Sequence, residues 1–233
     1  MTLPPDQLHP SLWRANQLAR NPGPCQPSGF PSLDAELPGG GWPVGTLIEL
    51  FAAQAGVGEL RLLAPALAQL SLHRPVALVH PPYTPNSAYC TGAHTPRRPW
   101  LWIAPERPID ALWAAEQVLK NGSCAALLFW QKDVRPASLR RLHLAAQSSD
   151  MLFFLLRPQA AMRQTSPAPL RIHLQAAACG IELDIVKRRG PSMNHVLFID
   201  LPTPAPHIVH HAPLDRRTPA PARAGRPAPV LVN

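Results

Sequence analysis

Ala53-Gln54-Ala55-Gly56-Val57-Gly58-Glu59-Leu60 has the frame of a phosphate-binding loop without the groups that make one work. A working loop reads G-x-x-x-x-G-K-[ST]. Its backbone amides cradle phosphates, its lysine reaches the β and γ oxygens, and its hydroxyl holds Mg²⁺. Gly58 is kept, but Ala53 stands for the first glycine, Glu59 for the lysine and Leu60 for the hydroxyl. Glu59 turns an attraction into a repulsion. A unit-charge pair ~4 Å apart is worth about 4 kcal/mol at a surface-like dielectric, so the swap costs at most about 8 kcal/mol. That amounts to about five to six decades of affinity. The degenerate loop is expected to be a relic of a fold, with no nucleotide bound and no cofactor.

Other residue types that could do chemistry are scattered. His207, His210 and His211 stand together, but without a cysteine or carboxylate cluster, so no metal site is expected. Cys25, Cys90, Cys124 and Cys179 are far apart with no C-x-x-C pair. They suit reduced thiols better than zinc ligands or a disulfide framework. No G-x-S-x-G occurs. Glu182 and Asp184 would share one strand face, solvated rather than paired for acid–base work. Arg97-Arg98, Arg140-Arg141 and above all Lys187-Arg188-Arg189 are basic clusters. Three cations on a turn suit phosphates or an acidic protein groove, and equally suit plain solvation at a loop. Trp13 and Trp42 stand outside obvious core patterns, either as interface anchors or buried against a sheet edge.

The elements that must position these residues alternate along the chain. Short apolar runs at 46–51, 76–79, 100–103, 125–130 and 151–156 read as strands buried on both faces. Residues 59–72, 109–121 and 138–148 read as helices. In the second, Ile109, Leu112 and Trp113 fall on one stripe, and Asn121-Gly122 ends it. Such alternation implies an α/β fold, a mostly parallel sheet flanked by helices. Runs 170–175 and 181–187 alternate around Ala178-Cys179-Gly180 and read as a C-terminal antiparallel hairpin, with a last strand within 195–201. Residues 11–20 read as a short helix capped by Ser11. Pro65 would sit well inside helix 59–72, where a proline costs about 3 kcal/mol unless the helix kinks. A phosphate site relies on a straight helix aimed at the anion.

An ATPase on this plan also needs an acid at the end of a central strand, for Mg²⁺ and the attacking water. After the run ending at Phe129 comes Trp130, and Asp133 is the nearest acid. A second carboxylate would follow 76–79, where the chain reads His80-Pro81-Pro82-Tyr83. A slip of two or three positions would recover Asp133 but neither Glu59 nor Leu60. No enzymatic activity is expected.

The flanks of the loop carry a resemblance. Gly29-Phe30-Pro31-Ser32-Leu33-Asp34, the Gly39-Gly40-Gly41 bend and the following strand are similar to the approach to the phosphate loop in the RecA and KaiC family. Five segments together resemble the ImuA family of bacterial accessory proteins of damage-induced translesion DNA synthesis, sometimes labelled SulA-like. They are Pro10-Ser11-Leu12-Trp13-Arg14, Leu37-Pro38-Gly39-Gly40-Gly41-Trp42-Pro43, Gly56-Val57-Gly58-Glu59-Leu60, Ala111-Leu112-Trp113-Ala114-Ala115-Glu116-Gln117 and Leu183-Asp184-Ile185-Val186-Lys187-Arg188-Arg189-Gly190. The resemblance spans residues 9–200. It implies a RecA-like domain without catalytic activity. As partners it implies an ImuB-like protein (an inactive relative of Y-family polymerases), an error-prone DNA polymerase and RecA. Weak direct DNA binding through Lys187, Arg188 and Arg189 stays open beside these. Two other readings remain: a SulA-like inhibitor of cell division, separable by FtsZ binding, and an active recombination ATPase, which the loop residues oppose.

Composition bounds the rest. A chain of 233 residues with 46% hydrophobic content suits one globular domain with a tail. The plan is an N-terminal arm over 1–25, the RecA-like domain over 26–201 and a Pro-rich disordered tail over 202–233. The 31 prolines, well above the usual ~5%, imply short elements and stiff connections. The formal net charge of +8 favours polyanions, or is simply a solvated basic surface. Met1-Thr2-Leu3-Pro4-Pro5-Asp6 has no signal-peptide pattern and no apolar run is long enough for a bilayer, so a cytoplasmic protein is expected.

Overall fold

The computed structural model describes residues 23–83 and 100–201. The Ser11-capped helix, Trp13, Cys90, Arg97-Arg98 and the stretch from Pro202 lie outside the described residues. The described elements run β1 (Cys25–Gln26), α1 (Pro31–Glu36), β2 (Trp42–Pro43), β3 (Thr46–Ala52), α2 (Glu59–Leu70), β4 (Val76–Val79) and β5 (Leu101–Ile103). Then follow α3 (Pro108–Asn121), β6 (Ala126–Trp130), α4 (Pro136–Gln147), β7 (Leu152–Pro158), a 3₁₀ turn (Gln159–Arg163), β8 (Leu170–Ala177), β9 (Gly180–Lys187) and β10 (Leu197–Asp200). The strands and long helices read from the sequence are all present, with ends within two residues of those expected. The small β1–β2 pair and the six-residue α1 were not foreseen. β1 straddles the expected boundary between arm and domain, since Cys25 pairs with Pro43.

Eight strands form one sheet in the order β10-β9-β8-β3-β7-β6-β4-β5. β3 lies between β7 and β8 and runs parallel to both. Parallel pairing continues through β6, β4 and β5, whereas β9 runs antiparallel to both β8 and β10. This is an α/β fold with a mostly parallel sheet flanked by helices and a C-terminal antiparallel hairpin. Residues of period two divide the core between the sheet faces. Ile48 and Leu50 pack with Leu33 of α1 and Leu62, Leu63 and Leu67 of α2. Leu47, Phe153 and Leu155 pack with Ala111 and Leu119 of α3 and with Leu139 of α4.

Trp42 belongs to the first of these cores. It is fully buried and meets Phe154 edge-on, with ring centroids 5.2 Å apart at 89°. The interface-anchor reading of Trp42 therefore gives way to packing. Pro65 lies inside α2, and the helix runs on through it. Its ring abuts Gly29, whose φ of +89° and missing side chain permit the approach, since a Cβ there would collide with the proline.

Two expectations fail for physical reasons. Ile109 and Trp113 do not face the core: they are 65% and 64% exposed. α3 is seated on the sheet through Ala111, Ala115 and Leu119 instead. Small alanines let the helix axis approach the strands closely, which turns the larger stripe outward. β5 is not buried on both faces either. It is an edge strand, and Leu101 and Trp102 are exposed.

Candidate functional site

β3 ends at Ala52 and the chain passes through Ala53–Gly58 into α2. Gly58 is the N-cap of α2 with φ +114°, and Gly56 has φ +87°, a left-handed pair that turns backbone amides inward. Glu59, the first helical residue, folds its carboxylate back into this concavity. Oε1 accepts from Gly56 N–H at 2.9 Å, and Oε2 accepts from Gly56 at 3.1 Å and from Gly58 at 3.2 Å. Glu59 is 6% exposed. The bonds are charge-assisted, and the positive end of the α2 dipole favours an anion there. The amides that would hold a phosphate are thus satisfied by the chain's own side chain.

From its type alone Glu59 is a charge that repels phosphate; in the folded loop it is also the ligand of the amides. Leu60 and Val57, which replace polar or permissive positions, pack against the core beneath the loop. Ala53 lies at the start of the loop and is exposed. Arg61, one residue on, donates to the carbonyl of Leu201 and ties α2 to the end of β10.

Among the described residues at the neighbouring strand ends, no acid is bonded to the loop amides. Gln131 follows β6, buried, with its backbone N–H on Leu156 O at 3.1 Å, while Asp133 is exposed. His80 follows β4 at φ +53°. Its backbone N–H bonds Ile103 O at 2.8 Å and its Nδ1 lies 3.1 Å from Trp130 O, so it links the ends of β5 and β6. Among the described residues no His, Cys, Asp and Glu group could hold a metal ion, and no helix is long and apolar enough to cross a membrane.

Lys187, Arg188 and Arg189 lie far from the loop. β9 runs antiparallel to β8, so its exit lies towards the amino end of β3, and Arg189 lines a cleft there with Gly45 and Thr46. The loop stands at the carboxyl end, about 20 Å away along seven residues of β3. Nor are the three a free cluster. Arg188 is paired with the Glu36 carboxylate at 2.9 Å and also donates to Pro191 O at 2.7 Å, which fastens the hairpin exit to α1. Lys187 donates to Ser166 O at 3.2 Å. Burial, then the charges of Arg189 and Lys187, hold the nearby His143 imidazole below its usual range.

One buried ionic group went unread. Glu49 on β3 accepts from Arg157 Nη1 at 2.9 Å and Arg171 Nε at 2.8 Å, with Glu49 and Arg157 fully buried. Arg157 also bonds Gln164 Oε1 at 2.6 Å, and Arg171 lies over the Phe51 ring, 4.9 Å from its centroid. The group clamps the 3₁₀ turn to three strands. A charge in the middle of an apolar strand was the available signal, because such a charge must be paired when buried.

No protein-family model matches the chain, and no curated protein matches it. Among solved structures it is similar to the crystal structure of SulA from Pseudomonas aeruginosa, at 24% identity and a TM-score of 0.41, a likeness that covers 50% of this chain and 99% of that one.

Proposed function

We propose that the protein is a non-catalytic, cytoplasmic adaptor of damage-induced translesion DNA synthesis, which links an ImuB-like protein, an error-prone DNA polymerase and RecA. One observation carries the non-catalytic half: Glu59 occupies the Gly56 and Gly58 amides, so an incoming phosphate must first expel a bound carboxylate. The five segments that resemble ImuA support the choice of partners. A RecA-like body without ATP turnover could sit at a filament end and take no part in the ATP-driven cycle.

Co-purification of the tagged full chain with purified ImuB, RecA and FtsZ, each in a separate mixture, tests it. The adaptor retains ImuB and RecA and leaves FtsZ in the wash. Retention of FtsZ without ImuB would replace the adaptor with a division inhibitor.

A further inference from the structure

We propose that the cleft between α3 and α4 docks an acidic amphipathic helix of a partner protein. Ile109 and Trp113 stand one turn apart on α3, 65% and 64% exposed. With Leu112 and Leu142 they line a cleft of about 190 Å³ between the two helices. An aromatic and a branched aliphatic side chain at this spacing are the anchors that helix-in-groove recognition uses. α3 does not need them for its own packing, since Ala111, Ala115 and Leu119 seat it on the sheet.

Charge decides the occupant. Glu116 at the rim is largely buried beneath Lys120, 2.8 Å away, and Arg141, so the rim shows its cations to solvent. α4 adds Arg140 and has no acid in Pro136–Gln147. Asp110 is tied to Arg107 at 2.7 Å, which leaves Glu106 as the exposed acid leading into α3.

The chain's remaining stretches are cationic as well. Residues 1–22 set Arg14 and Arg20 against Asp6, and residues 84–99 hold Arg97 and Arg98 with no acid. Residues 202–233 set Arg216, Arg217, Arg223 and Arg226 against Asp215. A second copy brings the same rim and a formal net charge of +8. Like-charge contact selects against all of these, and an apolar stripe with acidic margins fits. The surface lies apart from the phosphate loop, and the inference does not rest on the translesion reading.

Two labelled synthetic peptides of about 18 residues, long enough for a helix, test it by fluorescence anisotropy on the full chain. Both carry leucines at i, i+3, i+4 and i+7, and their margins are all Glu in one and all Lys in the other. The Glu peptide should bind roughly tenfold tighter or more, with the gap narrowing as salt rises. Trp113→Ala and Ile109→Ser should each weaken the Glu peptide by roughly tenfold without moving the thermal midpoint. If one variant melts early, the other decides. Equal binding of the two peptides, binding of neither, or Glu-peptide binding indifferent to the variants would overturn the proposal. So would self-association in sedimentation that Trp113→Ala abolishes, since the cleft would then belong to a second copy.

Discussion

At the scale of single residues, the direction of one carboxylate decides what the loop can hold. Amides at the start of a helix favour any anion, and Glu59 supplies one from within the chain without the translational cost of capturing a separate ion. Neutralising it removes charge-assisted bonds and leaves two part-buried amides less well satisfied. Glu59→Gln should therefore lower stability by about 1–3 kcal/mol, read as a lower urea midpoint at unchanged slope. An unmoved midpoint would mean that the carboxylate is not a ligand of the loop. The residue types at the loop were legible in the sequence, and so was the loss of lysine, hydroxyl and acids. The outcome at Glu59 was not, because a side chain's direction depends on the left-handed turns at Gly56 and Gly58 that the folded loop sets. Glu49 illustrates the same limit. Its charge was visible, but Arg157 and Arg171 are 108 and 122 positions away and meet it only once β7 and β8 flank β3.

At the scale of elements, strand–helix alternation located the parallel strands of the eight-stranded sheet and its three long helices, because buried parallel strands leave uninterrupted apolar runs. The apolar stripe it marked on α3 is turned outward at Ile109 and Trp113. Ile109, Leu112 and Trp113 carry far more apolar surface than alanines, yet the helix seats on the sheet through the small residues. The exit of β9 makes a similar point about charge. Lys187-Arg188-Arg189 looks uniform in sequence, but Arg188 bridges the hairpin to α1, whereas Lys187 makes a single exposed bond to a carbonyl. Arg188→Ala should lower stability by about 1–2 kcal/mol, and Lys187→Ala should stay within about 0.5 kcal/mol, both from thermal melts. Equal effects would mean that the Arg188–Glu36 pair contributes no more than an ordinary surface charge.

At the scale of the whole molecule, one sheet separates the features. The loop sits at the carboxyl end of β3, the basic hairpin exit at its amino end, and the apolar cleft on the helical face of α3 and α4. A body arranged in this way offers several surfaces for contact and a glycine-rich loop whose amides are filled by its own carboxylate. The central claim is that this loop is closed to nucleotide. Isothermal titration of ATP with Mg²⁺ into the full chain tests it most directly. The account expects no binding tighter than about 1 mM. A micromolar dissociation constant would contradict it.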